Sequence, residues 1–173
     1  MADIRTLITA EQIDEKLGGI GRAISADYRG KDLIVVGVLK GAFMVMADLA
    51  RHIEIPVEFD FMAVSSYGAS TQSSGVVRIL KDLDQEIAGR HVLIVEDIID
   101  SGLTLSYLMK SLSVRKPASL EVASLLVKSG VQRAELDVKY PGFTIGPEFV
   151  VGYGLDYAGK YRNLAYVGVL EGD

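Results

Sequence analysis

An α/β fold built on a mainly parallel sheet is what this sequence predicts, on three observations. Two apolar runs, LIVVGV at 33–38 and VLIV at 92–95, are unbroken and flanked by segments of helical periodicity. Such runs mark strands covered on both faces, which parallel sheets supply and half-exposed antiparallel sheets do not. Each run leads through a small-residue turn into apolar positions at helical spacing: Phe43, Met46, Ala50 and Ile53 after the first, Leu105, Leu108 and Leu112 after the second. That is the βα repeat of such folds. Finally, 173 residues with 49% hydrophobic content suffice for one domain with a sizeable core.

In chain order, Thr9-Ala10-Glu11-Gln12 has capping-box spacing, with Ile8 and Ile13 placed as a hydrophobic staple. Ile13, Leu17, Ile20, Ile24 and Tyr28 then mark one face of a helix over about 10–29. Gly18, Gly19 and Gly21 argue against it, since glycine costs about 1 kcal/mol against alanine inside a helix. Gly30-Lys31-Asp32 is a turn before the 33–38 strand. After Pro56, Val57, Phe59, Phe61 and Ala63 alternate with other residues as a half-buried strand. SSYGASTQSSG at 65–75 is a polar loop of a length that is usually functional or disordered. Val76–Leu80 returns as a strand, so 57–80 reads as a hairpin with a long tip. A charged connection, 81–90, leads into the 91–95 strand, and a helix over 102–115 is broken at Lys116-Pro117. Leu120–Val127 is a strand ending in Lys128. Residues 129–140 are mixed and polar, 149–152 a short strand, 154–162 a loop rich in tyrosine, glycine and charge, and 164–170 the closing strand.

Composition narrows the function. Net charge is −5 and pI about 5.1, against nucleic acid as a partner, because such binding rests on clustered Lys and Arg neutralising phosphates. Cysteine is absent, which excludes disulfides and thiolate metal sites and fits a reducing cytoplasm. The N-terminus carries acids early and no apolar h-region, so no signal peptide is expected. No apolar run approaches the roughly 20 residues of a membrane helix. Neither GxxxxGK[ST] nor a strand-associated GxGxxG occurs. His52 and His91 lack partners at ligand spacing, so structural roles are expected for both.

The chemistry concentrates in HVLIVEDIIDSGLTL, 91–105. Glu96 and Asp97 end the apolar run, Asp100 follows, and Ser101-Gly102-Leu103-Thr104 opens a helix. A small-residue turn at a helix N-terminus is an anion site, though alone an ordinary cap by Asp100 or Ser101 would explain it. The acids weigh against that explanation. Three carboxylates within five residues repel one another unless cations or hydroxyls engage them. A solvated acidic turn does not account for acids fused to a core strand. A ligand with ribose hydroxyls beside a phosphate does, and open α/β sheets bind ligands at the carboxyl ends of their strands.

VLIVEDIIDSGLTL is similar to the phosphoribosyl-pyrophosphate (PRPP) signature of type I phosphoribosyltransferases. Its Glu-Asp opening and later Asp resemble the 6-oxopurine branch, the hypoxanthine-guanine enzymes. The resemblance extends along most of the chain. Leu39-Lys40-Gly41 resembles the pyrophosphate loop, whose Leu–Lys peptide can be cis; otherwise it reads as a strand-to-helix turn. Ser66-Tyr67 resembles the pair on a mobile lid; a floppy loop is compatible with the same residues. Lys128, otherwise a surface lysine, matches the donor to the purine 6-oxo group. Phe149 matches the aromatic that stacks on the purine, and Val150 the residue whose backbone reads its edge; core packing is the plainer reading of both. Asp156 resembles the acid that reaches a second Mg²⁺, and Arg162 the cation near pyrophosphate. Ser101 stands where the family often has Thr and keeps the hydroxyl, while 129–147 and the N-terminal helix match loosely.

The resemblance implies the type I phosphoribosyltransferase fold: a mainly parallel twisted sheet flanked by helices, one domain over 1–173. A small hood would come from about 1–10 and 129–173, and a hairpin lid from 65–75. It implies purine salvage: PRPP plus hypoxanthine, and guanine, giving IMP or GMP and pyrophosphate, with up to two Mg²⁺ per site. Glu96 and Asp97 would hold the ribose hydroxyls and, with Asp156, contact metal. Asp100 would serve purine N7 as general acid/base and border the 5′-phosphate loop of Ser101, Gly102, Leu103 and Thr104. Lys40, Gly41, Arg162, Ser66 and Tyr67 would meet the pyrophosphate. A cytoplasmic homodimer or homotetramer is expected, with no nucleic-acid or membrane partner. A PRPP- or nucleotide-sensing regulator on the same fold is the alternative, which would want a basic RNA-binding face that this acidic chain lacks. A receiver-like phosphoacceptor would place its acid pair near the first strand.

Overall fold

Period-two alternation explains why the two apolar runs look continuous. In the computed structural model, which describes residues 3–66 and 77–171, β2 (Leu33–Leu39) and β5 (His91–Ile99) lie side by side and parallel. Val35, Leu93 and Val95 pack into one core with helices α1 (Ala10–Asp27) and α2 (Phe43–His52). Their neighbours Ile34, Val36, Val92 and Ile94 pack into a second core with Leu105, Leu108 and Leu112 of α3 (Leu103–Ser113). Helices thus cover both faces, so neither face needs polar residues.

The main sheet has six strands in the order β4-β3-β2-β5-β6-β7. β3 (Glu58–Ser66), β6 (Ser119–Lys128) and β7 (Tyr140–Ile145) extend the parallel register, and β4 (Val77–Lys81) pairs antiparallel with β3, closing the expected hairpin. A second, antiparallel sheet joins β1 (Asp3–Ile8), β9 (Val167–Glu171) and β8 (Val150–Val151) in the order β1-β9-β8. Tip residues 67–75, including Tyr67, lie outside the described residues. Among the described residues, no helix is long and apolar enough to cross a membrane.

Helix α1 forms as its start signal predicts. The Thr9 side chain accepts from Gln12 N at 3.2 Å, and Gln12 Oε1 accepts from Thr9 N at 2.8 Å. Its glycines do not break it. A Cβ on Gly21 would lie 2.5 Å from the His52 carbonyl oxygen, so glycine there is what lets α1 cross against the end of α2. Both histidines are structural, as expected: His52 meets Asp14 at 3.0 Å and His91 meets Ser119 at 2.6 Å.

Three expectations need correction. β5 does not stop at the acids but runs to Ile99, so Glu96 and Asp97 lie inside a hydrogen-bonded strand. Residues 140–145, expected within the hood segment, form an edge strand of the main sheet; Pro141 is tolerated there because only β6 pairs with it. The closing strand starts at Val167, not 164, because Tyr161–Leu164 turns back to bond the 152–154 backbone.

Candidate active site

Strand β5 holds its two acids differently. Glu96 is buried, opposite Ser124 of β6. Desolvation, reinforced by the neighbouring Asp97 charge, pushes its carboxyl well above the usual range. Asp97 is partly buried, and burial pushes its carboxyl up to about 6 against the pull of the Ile98 N–H. That N–H donates to Asp97 Oδ1 at 2.8 Å. Among the described residues, neither acid has a Lys or Arg within ion-pair distance.

Beyond β5 the chain turns through Asp100 and Ser101 into α3. The helix is not capped by Asp100 or Ser101: Gly102, at φ 79°, stands at the N-cap with no side-chain hydrogen bond to the first turn. Leu103 N reaches Ser101 Oγ only at 3.4 Å. A helix start left without a cap keeps donors for an anion. The turn is held from outside: Arg133 N and Ala134 N donate to Ser101 O at 2.8 and 3.3 Å, and Leu136 covers Gly102. This bracing by 133–136 was not legible in a polar segment with no periodicity.

Lys128 is no surface lysine. It is 8% exposed at the end of β6, and its Nζ sits 3.3 Å from Asp100 Oδ2. Together with Asp97, Phe149, Val150, Asp156 and Arg162 they line a cleft of about 260 Å³. Phe149 is 53% exposed, which rules out core packing, and it stands edge-on to Tyr157. Val150 is buried in the core, so only its backbone is left for a ligand.

The fourth wall comes from two loops. The Leu39–Lys40 peptide is cis, and Lys40 is exposed at the turn into α2. Gly41 lies against β5: a Cβ there would fall 1.8 Å from Asp97 Oδ2. Gly154 meets the same loop, since its Cβ would fall 2.1 Å from the Gly41 carbonyl oxygen. Arg162 bonds Gly154 O and, through Nη2, Asp156 Oδ1 at 3.0 Å. Asp156 Oδ2 accepts from Gly159 N at 2.8 Å. Tyr153 anchors this loop to α2 through a hydrogen bond to Asp48. The structure therefore brings Asp97, Asp100, Lys128, Phe149, Val150, Asp156 and Arg162 to one cleft, with Glu96 beside Asp97 and Gly41 against it. Ser66 ends β3, and Tyr67 lies outside the described residues.

Glu96, Asp97 and Asp156 do not form a metal cage: among the described residues no three acids or histidines come together as one. Mg²⁺ does not require one. It keeps waters and is usually held by one or two carboxylates plus substrate phosphates. A raised, unpaired carboxylate pair beside a cleft fits that donor chemistry.

Such a fold and cleft define a class. The chain belongs to the phosphoribosyl transferase family: the family model described as "Phosphoribosyl transferase domain" matches residues 8–158. The particular likeness is to the hypoxanthine-guanine phosphoribosyltransferases. That of Mycobacterium avium is 56% identical over 98% of this chain and 87% of its own length. That of Bacillus subtilis is 50% identical over 96% of this chain and 93% of its own. The crystal structure of a hypoxanthine phosphoribosyltransferase from Staphylococcus aureus superposes with a TM-score of 0.94 at 46% identity, covering 96% of this chain and 91% of that one. The fold is the type I phosphoribosyltransferase fold expected from the sequence.

Proposed function

We propose that this chain transfers the 5-phosphoribosyl group of PRPP to N9 of hypoxanthine and guanine, giving IMP or GMP and pyrophosphate in purine salvage. The observation that carries the reading is the Lys128–Asp100 pair in the cleft that Phe149 also lines. A buried ammonium beside a carboxylate offers a donor to a 6-oxo group and an acceptor to a neighbouring N7–H. An exposed aromatic ring supplies the stacking surface. The relatives from Mycobacterium avium and Bacillus subtilis are named as enzymes, which supports this reading over a regulator.

In the mechanism this supports, the purine N9 lone pair forms the new bond to the anomeric carbon as the bond to pyrophosphate breaks. The purine N7 proton passes to Asp100. Glu96 and Asp97 hold the ribose hydroxyls from a strand paired with β2 up to Val95 and with β6 on to Ile99, which is preorganisation rather than covalent catalysis. The backbone of 101–104 grips the 5′-phosphate, and Lys40, Gly41 and Arg162 receive the pyrophosphate. Mg²⁺, when bound, supplies charge neutralisation at the pyrophosphate, and Asp156 with the Glu96–Asp97 pair would contact it. The 65–75 segment, with Ser66 and Tyr67, serves as the lid, and the β1-β9-β8 sheet as the hood.

A cytoplasmic homodimer or homotetramer completes the reading. Absent cysteine supports the compartment. Self-association is supported by an apolar groove between α2 and β3, where Phe43 and Phe59 are 43% and 41% exposed. The test is a steady-state assay of hypoxanthine, guanine, xanthine and adenine with PRPP and Mg²⁺. Hypoxanthine and guanine are turned over and adenine is rejected, because an amino group at position 6 sets N–H donors against the Lys128 ammonium where a 6-oxo group would accept. Comparable use of adenine and hypoxanthine would overturn the proposal.

A further inference from the structure

Tyr157 belongs to none of the roles assigned above, yet among the described residues its ring is the one in contact with that of Phe149. The ring centroids lie 5.9 Å apart at 81°, an edge-to-face pair. Both residues are 53% exposed, so neither is held by the core. Phe149 precedes the two-residue strand β8, and its backbone is tied on one side only, by Leu170 N to Phe149 O at 3.3 Å. An exposed phenylalanine in such a place has free rotamers, and a base that stacks on it must first order it.

The backbone that delivers Tyr157 is, by contrast, well determined. Tyr157 and Lys160 exchange two backbone hydrogen bonds, of 3.1 and 3.0 Å. Ala158 and Gly159 take φ of 50° and 78° between them, as a tight two-residue turn requires. Asp156 braces the same turn through Gly159 N, and Arg162 braces Asp156. A rigid small hairpin therefore presents the Tyr157 ring to one side of Phe149. Phe149, but not Tyr157, lines the cleft with Lys128 and Asp100.

We infer that Tyr157 is a positioning residue for purine binding: its ring orders Phe149 so that the base meets a preformed stacking surface. This rests on the reading of Phe149 as the purine platform. Tyr157 does not touch the base. It acts through Phe149, and it mechanically links that platform to the hairpin carrying Asp156 and Arg162.

The experiment compares Tyr157→Ala, Tyr157→Phe and Phe149→Ala with the unaltered protein in steady-state kinetics, varying hypoxanthine at saturating PRPP and the reverse. Tyr157→Ala raises KM for hypoxanthine about two- to twelve-fold, the range an aromatic pair gives. It leaves KM for PRPP and kcat within about twofold, and Tyr157→Phe restores the hypoxanthine KM because the ring, not the hydroxyl, makes the contact. If Phe149→Ala raises the hypoxanthine KM and Tyr157→Ala does not, the positioning role is overturned while the platform stands. If Tyr157→Ala raises KM for PRPP as much as for hypoxanthine, the ring acts through Asp156, and the inference is equally overturned. If Phe149→Ala leaves the hypoxanthine KM unchanged, the platform reading falls and the inference with it.

Discussion

Asp97→Asn removes one charge from the buried acidic pair while conserving shape and the acceptor that Ile98 N–H uses. In the substrate-free protein that charge is a liability. Folding moves the carboxyl from an ordinary value of 3.8 to about 6, chiefly by desolvation. About two units at 1.36 kcal/mol each is about 3 kcal/mol, an upper value, since Asp97 keeps partial solvent contact and screening reduces it. The folded state binds the Asp97 proton more tightly than the unfolded state. Stability from this group is therefore fully present below pH 3.8 and lost as pH rises to about 6, with a plateau above. Asparagine does not titrate.

Urea unfolding of both proteins in EDTA without substrate, between pH 4 and 8, is the assay. The variant is more stable at pH 8 by up to about 3 kcal/mol, or roughly 2–4 °C in Tm per kcal/mol for a chain of this size. The advantage shrinks below pH 6 and approaches zero near pH 4. Adding PRPP and Mg²⁺ reverses the order, because only the native protein regains stability through binding. A variant less stable than the native protein at pH 8, or an advantage independent of pH, would refute the reasoning, for then Asp97 is not a desolvated charge awaiting a ligand.

Three further outcomes follow from the same geometry. Asp100→Asn lowers kcat by about 10²–10⁴, the worth of a general acid/base, with KM for PRPP changed only a few-fold; a collapse of PRPP binding would reassign Asp100 to the sugar-phosphate site. Lys128→Gln reduces the preference for hypoxanthine over adenine, in kcat/KM, by about tenfold or more, as expected for loss of a charged donor; an unchanged ratio would remove Lys128 from base selection. Gly41→Ala drives a methyl to within 1.8 Å of Asp97 Oδ2, so KM for PRPP rises while that for hypoxanthine does not, and unfolding measurements show a loss of about 1–3 kcal/mol.

What the sequence could show was local. The 91–105 stretch is legible because strand, acids, turn and helix are contiguous, and because burial on both faces leaves an unbroken apolar run. β1 is invisible for the opposite reason: half of DIRTLI is exposed, and Asp3 pairs with Glu171 at the other end of the chain. β7 hides behind Pro141, which an edge position tolerates, and Gly142, where a Cβ would fall 2.2 Å from the Leu125 carbonyl oxygen. Within the site, Lys128 and Asp100 each stood out, but their 3.3 Å contact is a product of the parallel β5–β6 register. The Tyr153–Asp48 and Tyr157–Phe149 contacts join segments with no sequence signal connecting them.

Charge compensation in the cleft is uneven, and the unevenness matches the proposed substrate. Asp100 has Lys128, and Asp156 has Arg162 and the Gly159 N–H. Both pairs are complete before anything binds, so a base or a pyrophosphate must exchange one partner for another, and its net gain there is small. Among the described residues Glu96 and Asp97 have no Lys or Arg within ion-pair distance, though Asp97 accepts from the Ile98 N–H, and the strand that carries them is bonded to β2 as far as Val95 and to β6 through Ile99. On the proposed function, hydroxyl donors or a cation arriving with the sugar relieve their repulsion and desolvation further. On that proposal an electrostatic gain on binding is available at the ribose, where charge develops as the bond to pyrophosphate breaks. This is why the acids sit in a core strand and not on a loop, where solvent and motion would relieve the repulsion before the substrate could.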